Sequence, residues 1–123
     1  EWEYAARNRN RDSYTYAGSD TVGDVAWCDE NSDDSTHEVK KKAPNGLGLY
    51  DMSGNVQEWC WDWYGSISSG TPDSGSASGS CRVLRGGSCE SIDIDKTVAF
   101  RAPCGTPSDR SDTFGFRVVR SAN

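Results

Sequence analysis

Five cysteines, Cys28, Cys60, Cys81, Cys89 and Cys104, and one histidine, His37, have the widest chemical reach in this chain. No two cysteines form a C-x-x-C pair and none is spaced from His37 as zinc ligands are, so no structural zinc site is expected. There is no Ser-His-Asp spacing, and one histidine cannot make the cluster that non-haem iron needs. Nothing close in sequence orients His37 as a base, so it reads as a surface residue. The acidic run Asp29, Glu30, Asp33, Asp34 could draw a cation, but a solvated loop is the stronger expectation. Cys60 sits among aromatics and reads as a small buried hydrophobe. An odd cysteine count leaves at least one thiol unpaired, and pairing among Cys28, Cys81, Cys89 and Cys104 stays open.

These groups need a frame, and the frame is legible between Asn45 and Tyr64. Its first half is turn chemistry, with Gly46, Gly48 and Gly54 interleaved with Asp51, Ser53 and Asn55. Its second half switches to strand chemistry. From Val56 to Tyr64 the pattern sets Trp59, Trp61 and Trp63 on one face and Glu58, Cys60 and Asp62 on the other. Indoles bury more apolar surface than any other side chain, so this strand is expected at the centre of the core. Glu1 to Arg7 reads as the last turns of a helix, with Trp2, Ala5 and Ala6 as its apolar stripe and Arg7 near the exposed carbonyls. His37 to Lys42 is expected as a short strand with its lysines discouraging edge pairing. Gly65 to Ser80, rich in Ser, Gly and Pro, must be a long surface loop. Arg82 to Arg85 returns as a strand ending at Gly86-Gly87, and Phe114 to Val119 is the closing strand, with Phe116 and Val118 on one face. Between them, Pro103, Gly105 and Pro107 break up any long element.

At 123 residues the chain is one domain with one modest core, and its pattern is α+β: loop-rich, with short antiparallel strands. A net charge of −6 argues against a phosphate-binding surface, so no nucleic-acid partner is expected. No run approaches the ~18 apolar residues of a membrane span, and no signal peptide is visible. Glu1 begins mid-helix without a cap, so the chain reads as a fragment whose upstream part is missing.

The stretches GLYDMSGNVQEW, RVLRGGS from Arg82 to Ser88, and GFRVVRS from Gly115 to Ser121 resemble the formylglycine-generating enzyme (sulfatase-modifying factor) family. The opening EWEYAAR resembles a helical signature of the same family, in the same order, so the likeness runs nearly the whole chain. It implies the formylglycine-generating variant of the C-type lectin fold. Residues 1–123 would then be the C-terminal portion of one longer domain, completed by an upstream segment or by another chain. It also implies a calcium site at Asp51, Gly54, Val56 and Glu58, with side-chain oxygens at the ends and backbone carbonyls between. A glycine turn flanked by carboxylates suits a hard cation; the alternative is that Asp51 and Glu58 bond the turn's own amides.

Enzymes of the family oxidise a substrate cysteine with copper held by two cysteines, which lie between the GGS motif and the arginine that matches Arg101. Soft thiolates select Cu(I). Here Glu90 to Phe100 holds no cysteine, Cys89 stands where the family places an aromatic, and Cys104 lies beyond Arg101. The copper pair is therefore unmatched, and a non-catalytic chain is expected. A copper-dependent oxidase and a degenerate accessory subunit are the alternatives.

Residues 89–114 also resemble the variable proteins of diversity-generating retroelements, of the Treponema type. In these, asparagine-type codons are randomised to small, polar, aromatic or β-branched residues. Asn is absent from this window; Glu90 and Lys96 do not fit the pattern, and arginines belong to the frame. The resemblance implies one ligand surface from Cys89, Ser91, Ile92, Ile94, Asp95 and Phe100. A second comes from Cys104, Ser108, Asp109, Ser111, Asp112 and Thr113. The alternative is an ordinary loop, with Phe100 and above all Val98 in the core. The implied partner is a protein or other surface-displayed target, met by a protein exported to a bacterial cell surface or periplasm.

Overall fold

The computed structural model describes residues 1–71 and 75–120, with backbone alone at Pro103 and Cys104. Helix α1 spans Trp2–Ala6 and a single-turn helix α2 spans Val22–Val25. The strands are β1, Gln57–Trp63; β2, Arg82–Arg85; β3, Ala102–Gly105; and β4, Phe114–Phe116. They make one sheet in the order β3-β2-β1-β4. β1–β2 and β2–β3 are antiparallel, but β4 runs parallel to β1, with Gln57 opposite Phe114 and Trp59 opposite Phe116. The expectation of antiparallel strands throughout is corrected at β4.

The apolar cluster lies off the sheet: Ala6, Ala17, Met52 and Val98 are buried, with Trp2, Ala5 and Leu49 packed against them. Val98 is core, as its sequence neighbourhood suggested. The indole face is core only in part: Trp59 and Trp63 are half-buried, with Leu84 buried opposite Trp59, but Trp61 lies in the open. Trp61 is 85% exposed, whereas Glu58 on the opposite face is 5% exposed. Two local interactions reverse the expectation. Glu58 carries its counter-ion inward: Arg117 Nη2 donates to Oε1 at 2.6 Å, and Arg117 Nε and Trp2 Nε1 donate to Oε2 at 3.1 and 2.8 Å. A buried carboxylate so satisfied can face a core. On the other side Arg82 stacks over Trp61 and Trp63, 4.7 and 3.5 Å from the ring centroids, which suits indoles that stay partly in water.

Helix α1 is tied to the 45–49 turn and to the sheet by two polar staples. Asn45 Nδ2 donates to the terminal α1 carbonyls of Ala5 and Ala6 at 2.8 and 3.1 Å, while its Oδ1 accepts from the amides of Leu47 and Leu49. Arg85 Nη2 donates to Glu3 at 2.7 Å, and Nη1 donates to the carbonyls of Ala99 and Phe100. Arg7 binds Glu3 at 2.8 Å rather than the helix carbonyls.

Residues 37–42 are not a strand. Asn55 explains this: its Oδ1 accepts from the His37 amide and its Nδ2 donates to the His37 carbonyl, which occupies the backbone groups a ladder would use. His37 is half-buried, stacked on Trp27 with ring centroids 3.9 Å apart. β3 was not anticipated because Pro103 reads as a breaker. It is an edge strand, where a residue lacking an N–H is tolerated. No described helix is long and apolar enough to cross a membrane.

Candidate functional site

The segment Gly54 to Gln57 is the rail from which the C-terminal loops hang. Gly54 N donates to Gly86 O at 2.8 Å and Asn55 N to Trp27 O at 2.9 Å. Cys89 N donates to Asn55 O at 2.9 Å, and Gln57 N to Thr113 O at 2.8 Å. Both ends of the window 89–113 are thus tied to four consecutive residues. Gly54 has φ +76°, and a Cβ there would stand 2.2 Å from the Trp27 carbonyl oxygen, so only glycine fits.

Within the window the residues divide sharply. Ile92 and Ile94 are 59% and 60% exposed, and Ser108, Asp109, Ser111 and Asp112 also face solvent. Asp95 and Phe100 are half-buried. Cys89, Ser91 and Thr113 are buried. Ser91 is turned inward, its Oγ accepting from the Ser88 amide at 2.9 Å. The Cys104 side chain lies outside the described residues. Asp109 accepts from the Thr106 hydroxyl and amide, and these bonds hold its carboxyl below the usual range.

Lys96 explains why one position in the window breaks the expected pattern. It is fully buried; its Nζ donates to Ser91 O and pairs with Asp29 and Asp93 at 3.2 and 3.3 Å, and its carbonyl accepts from Ser53 Oγ at 2.9 Å. The 3-10 turn Asp93–Lys96 that carries Ile94 is built around this ammonium. Cys28, Asp29 and Asp93 come within 4.8 Å of one another, a spacing that could hold a metal. Lys96 already supplies the positive charge there. Sequence reasoning set a cation site at Asp29 below a solvated loop, and no local signal marks a lysine 67 residues away as its partner.

Two concavities flank these loops. One, of about 340 Å³, is lined by Trp59, Cys60, Trp61, Arg82 and Pro107. The other, about 170 Å³, joins both halves of the window, with Cys89 and Glu90 on one side, Asp112 and Thr113 on another, and Asp34 to Thr36 closing it.

Of the calcium set, Asp51 Oδ2 accepts from the Lys40 amide at 2.9 Å while its buried Oδ1 has no partner. That orphaned oxygen fits a cation. Glu58 does not offer one in this arrangement, because Arg117 holds both its oxygens and also donates to Tyr50 O at 2.9 Å. Cys60 and Cys89 are not poised as thiolates. Burial pushes Cys60 up to about 11, and burial, then the charge of Glu90, raises Cys89. Cys28, Cys60 and Cys89 are free thiols and Cys81 is disulfide-bonded.

A small mixed sheet with few helices, loop-rich and closed by polar staples, defines an α+β domain of the C-type lectin kind. The chain belongs to the sulfatase-modifying factor family: the model of the sulfatase-modifying factor enzyme 1-like domain matches residues 1–122. Among solved structures it is similar to Treponema denticola variable protein 1, at 44% identity and TM-score 0.86 over 94% of this chain and 43% of that one. It is 34% identical to the formylglycine-generating enzyme of Streptomyces coelicolor, over all of this chain and 45% of that protein. It is 45% identical to a serine/threonine-protein kinase of Chlamydia pneumoniae, over 72% of this chain and 15% of the kinase. The chain thus spans less than half the length of each of these relatives.

Proposed function

We propose that this chain is a non-catalytic ligand-binding domain, a diversity-generating retroelement variable protein that presents residues 89–114 on a fixed scaffold. The likeness to Treponema denticola variable protein 1 carries the reading. It is supported by the exposure of Ile92, Ile94, Ser108, Asp109, Ser111 and Asp112, which can change without touching the core. It is supported again by Lys96, whose misfit to the randomised pattern coincides with a buried structural role. The ligand in this reading is a protein or another surface-displayed target, met outside a bacterial cell. Clonal isolates test the reading. Substitutions should concentrate at the exposed window positions and spare Lys96, Arg85 and Gly54; an invariant window overturns it.

The second reading is a copper-dependent oxidase, favoured by the identity to formylglycine-generating enzymes. Against it stands Cys89, buried and with its pKa raised, since Cu(I) is held by thiolate. Tight stoichiometric Cu(I) uptake under reducing conditions, lost in Cys89→Ser, would establish the oxidase instead.

Calcium enters the reading as a structural ligand at Asp51, Gly54, Val56 and Glu58, with the orphaned Asp51 Oδ1 as its support. Binding requires Arg117 to release Glu58. Added calcium then raises the melting temperature and chelator reverses it; a melting temperature indifferent to both removes the site. A further segment of the kind its longer relatives carry completes the domain in this proposal, covering the sheet face that leaves Trp61 and Phe116 exposed.

A further inference from the structure

We propose that Asn45-Gly46 is a latent deamidation site: the docking of α1 holds it closed, and once it has reacted the helix no longer returns to its seat.

The sequence supplies the chemistry. This is the only Asn-Gly in the chain, and glycine has no side chain to shield its own nitrogen from the amide before it. The Gly46 nitrogen bonds to Asn45 Cγ as the Cγ–Nδ2 bond breaks, and ammonia leaves carrying the Gly46 amide proton. Water then opens the five-membered ring and leaves an aspartate or an isoaspartate. The reaction needs only water and freedom for the side chain to swing back onto its neighbour.

The structure withholds that freedom. Gly46 is exposed and its amide donates to no group among the described residues, so the nucleophile is unengaged. Its target is held. Asn45 is 4% exposed; its Nδ2 donates to the carbonyls of Ala5 and Ala6 at 2.8 and 3.1 Å, and its Oδ1 accepts from the amides of Leu47 and Leu49 at 3.0 and 3.1 Å. Two N–H donors on one carbonyl oxygen polarise Cγ toward attack. The turn therefore favours the reaction, and the brake is the helix, which grips the nitrogen that has to leave.

That brake is local. α1 is five residues long, too short to hold by itself in water. It stays docked because Glu3 pairs with Arg85, Trp2 bonds Glu58, and Trp2 and Ala5 pack against the buried cluster. An element held this way opens at less cost than the whole fold. After the reaction a carboxylate at position 45 has no donor for Ala5 and Ala6. It sets a negative charge against two carbonyl oxygens, at the end of a helix where partial negative charge gathers. Opening is reversible before the reaction and one-way after it.

The test is peptide mapping by mass spectrometry on the full chain held in mildly alkaline buffer, reading the exchange of NH2 for OH at position 45. The native chain should react roughly tenfold or more slowly than the chain in denaturant. Ala5→Gly, which weakens α1 and leaves the 45–49 turn intact, should speed the native reaction roughly fivefold. Glu3→Gln, which removes the ion pair to Arg85, is a second and milder opener and should speed it in the same direction. Gly46→Ala should slow the reaction in denaturant, where the fold plays no part, and so tie the signal to this pair. In Asn45→Asp, hydrogen exchange should show the α1 amides of Arg7 and Arg9 losing protection while β1 and β2 keep theirs. Equal rates in the native and denatured chains, or openers that react no faster than the native chain, would overturn the proposal. So would an Asn45→Asp chain whose Arg7 and Arg9 amides stay protected, or one whose sheet loses protection as well.

Discussion

Lys96 is the residue on which the C-terminal loops most depend. Its ammonium satisfies Ser91 O and two carboxylates, while its stem fills space with no solvent contact. Replacing it leaves both a cavity and an unanswered carbonyl. Lys96→Ala should cost about 3 kcal/mol, read as a lowered denaturant midpoint, and should broaden amide signals from residues 91–97 first. Cys60 makes a second prediction. With its pKa raised to about 11, mainly by burial, it is protonated at neutral pH. Alkylation of native protein should be slow at pH 7 and accelerate steadily toward pH 11; fast labelling at neutral pH would show that the thiol is not held in this environment.

At the scale of elements, the docking of α1 on β2 is partly electrostatic and should respond to acid. Burial works to raise the Glu3 pKa, but the hydrogen bonds and charges of Arg7 and Arg85 outweigh it and hold the carboxyl below its usual 4.5. A lowered folded value means this stabilisation is present above the unfolded pKa and is lost as pH falls through the folded one. Glu3→Gln should therefore lower stability at pH 7 by less than about 1 kcal/mol, since the carboxylate is partly solvated, and should flatten the acid limb of a stability–pH profile. The strands show what local pattern can and cannot reveal. β1 and β2 were legible because alternation and the Gly86-Gly87 stop are local signals. The burial of the wrong face of β1 was foretold because Arg117, the partner that makes Glu58 an inward residue, lies 59 positions away. β3 was missed because a proline's cost depends on whether its strand is an edge, and edge position is a property of the sheet.

The whole molecule presents a sheet with one face against α1 and the other carrying Trp61 and Phe116 in the open. The emission of Trp61 should be readily quenched by acrylamide in this chain and protected when the chain is joined to the longer segment its relatives carry. Unchanged quenching in the longer protein would show that the face is left free. The family and fold were legible at this scale because turn and strand motifs recur in order along the chain. The division of the window into presenting and supporting residues was not, since it depends on which side chains find buried partners across the fold.

That division bears on anyone who would borrow the scaffold to make new binders. A library that scrambles every codon from 89 to 113 would spend most of its members on proteins that cannot close around an empty position 96. Holding that lysine constant, and Asp29 and Asp93 with it, leaves the outward positions open to mutagenesis while the chain still folds.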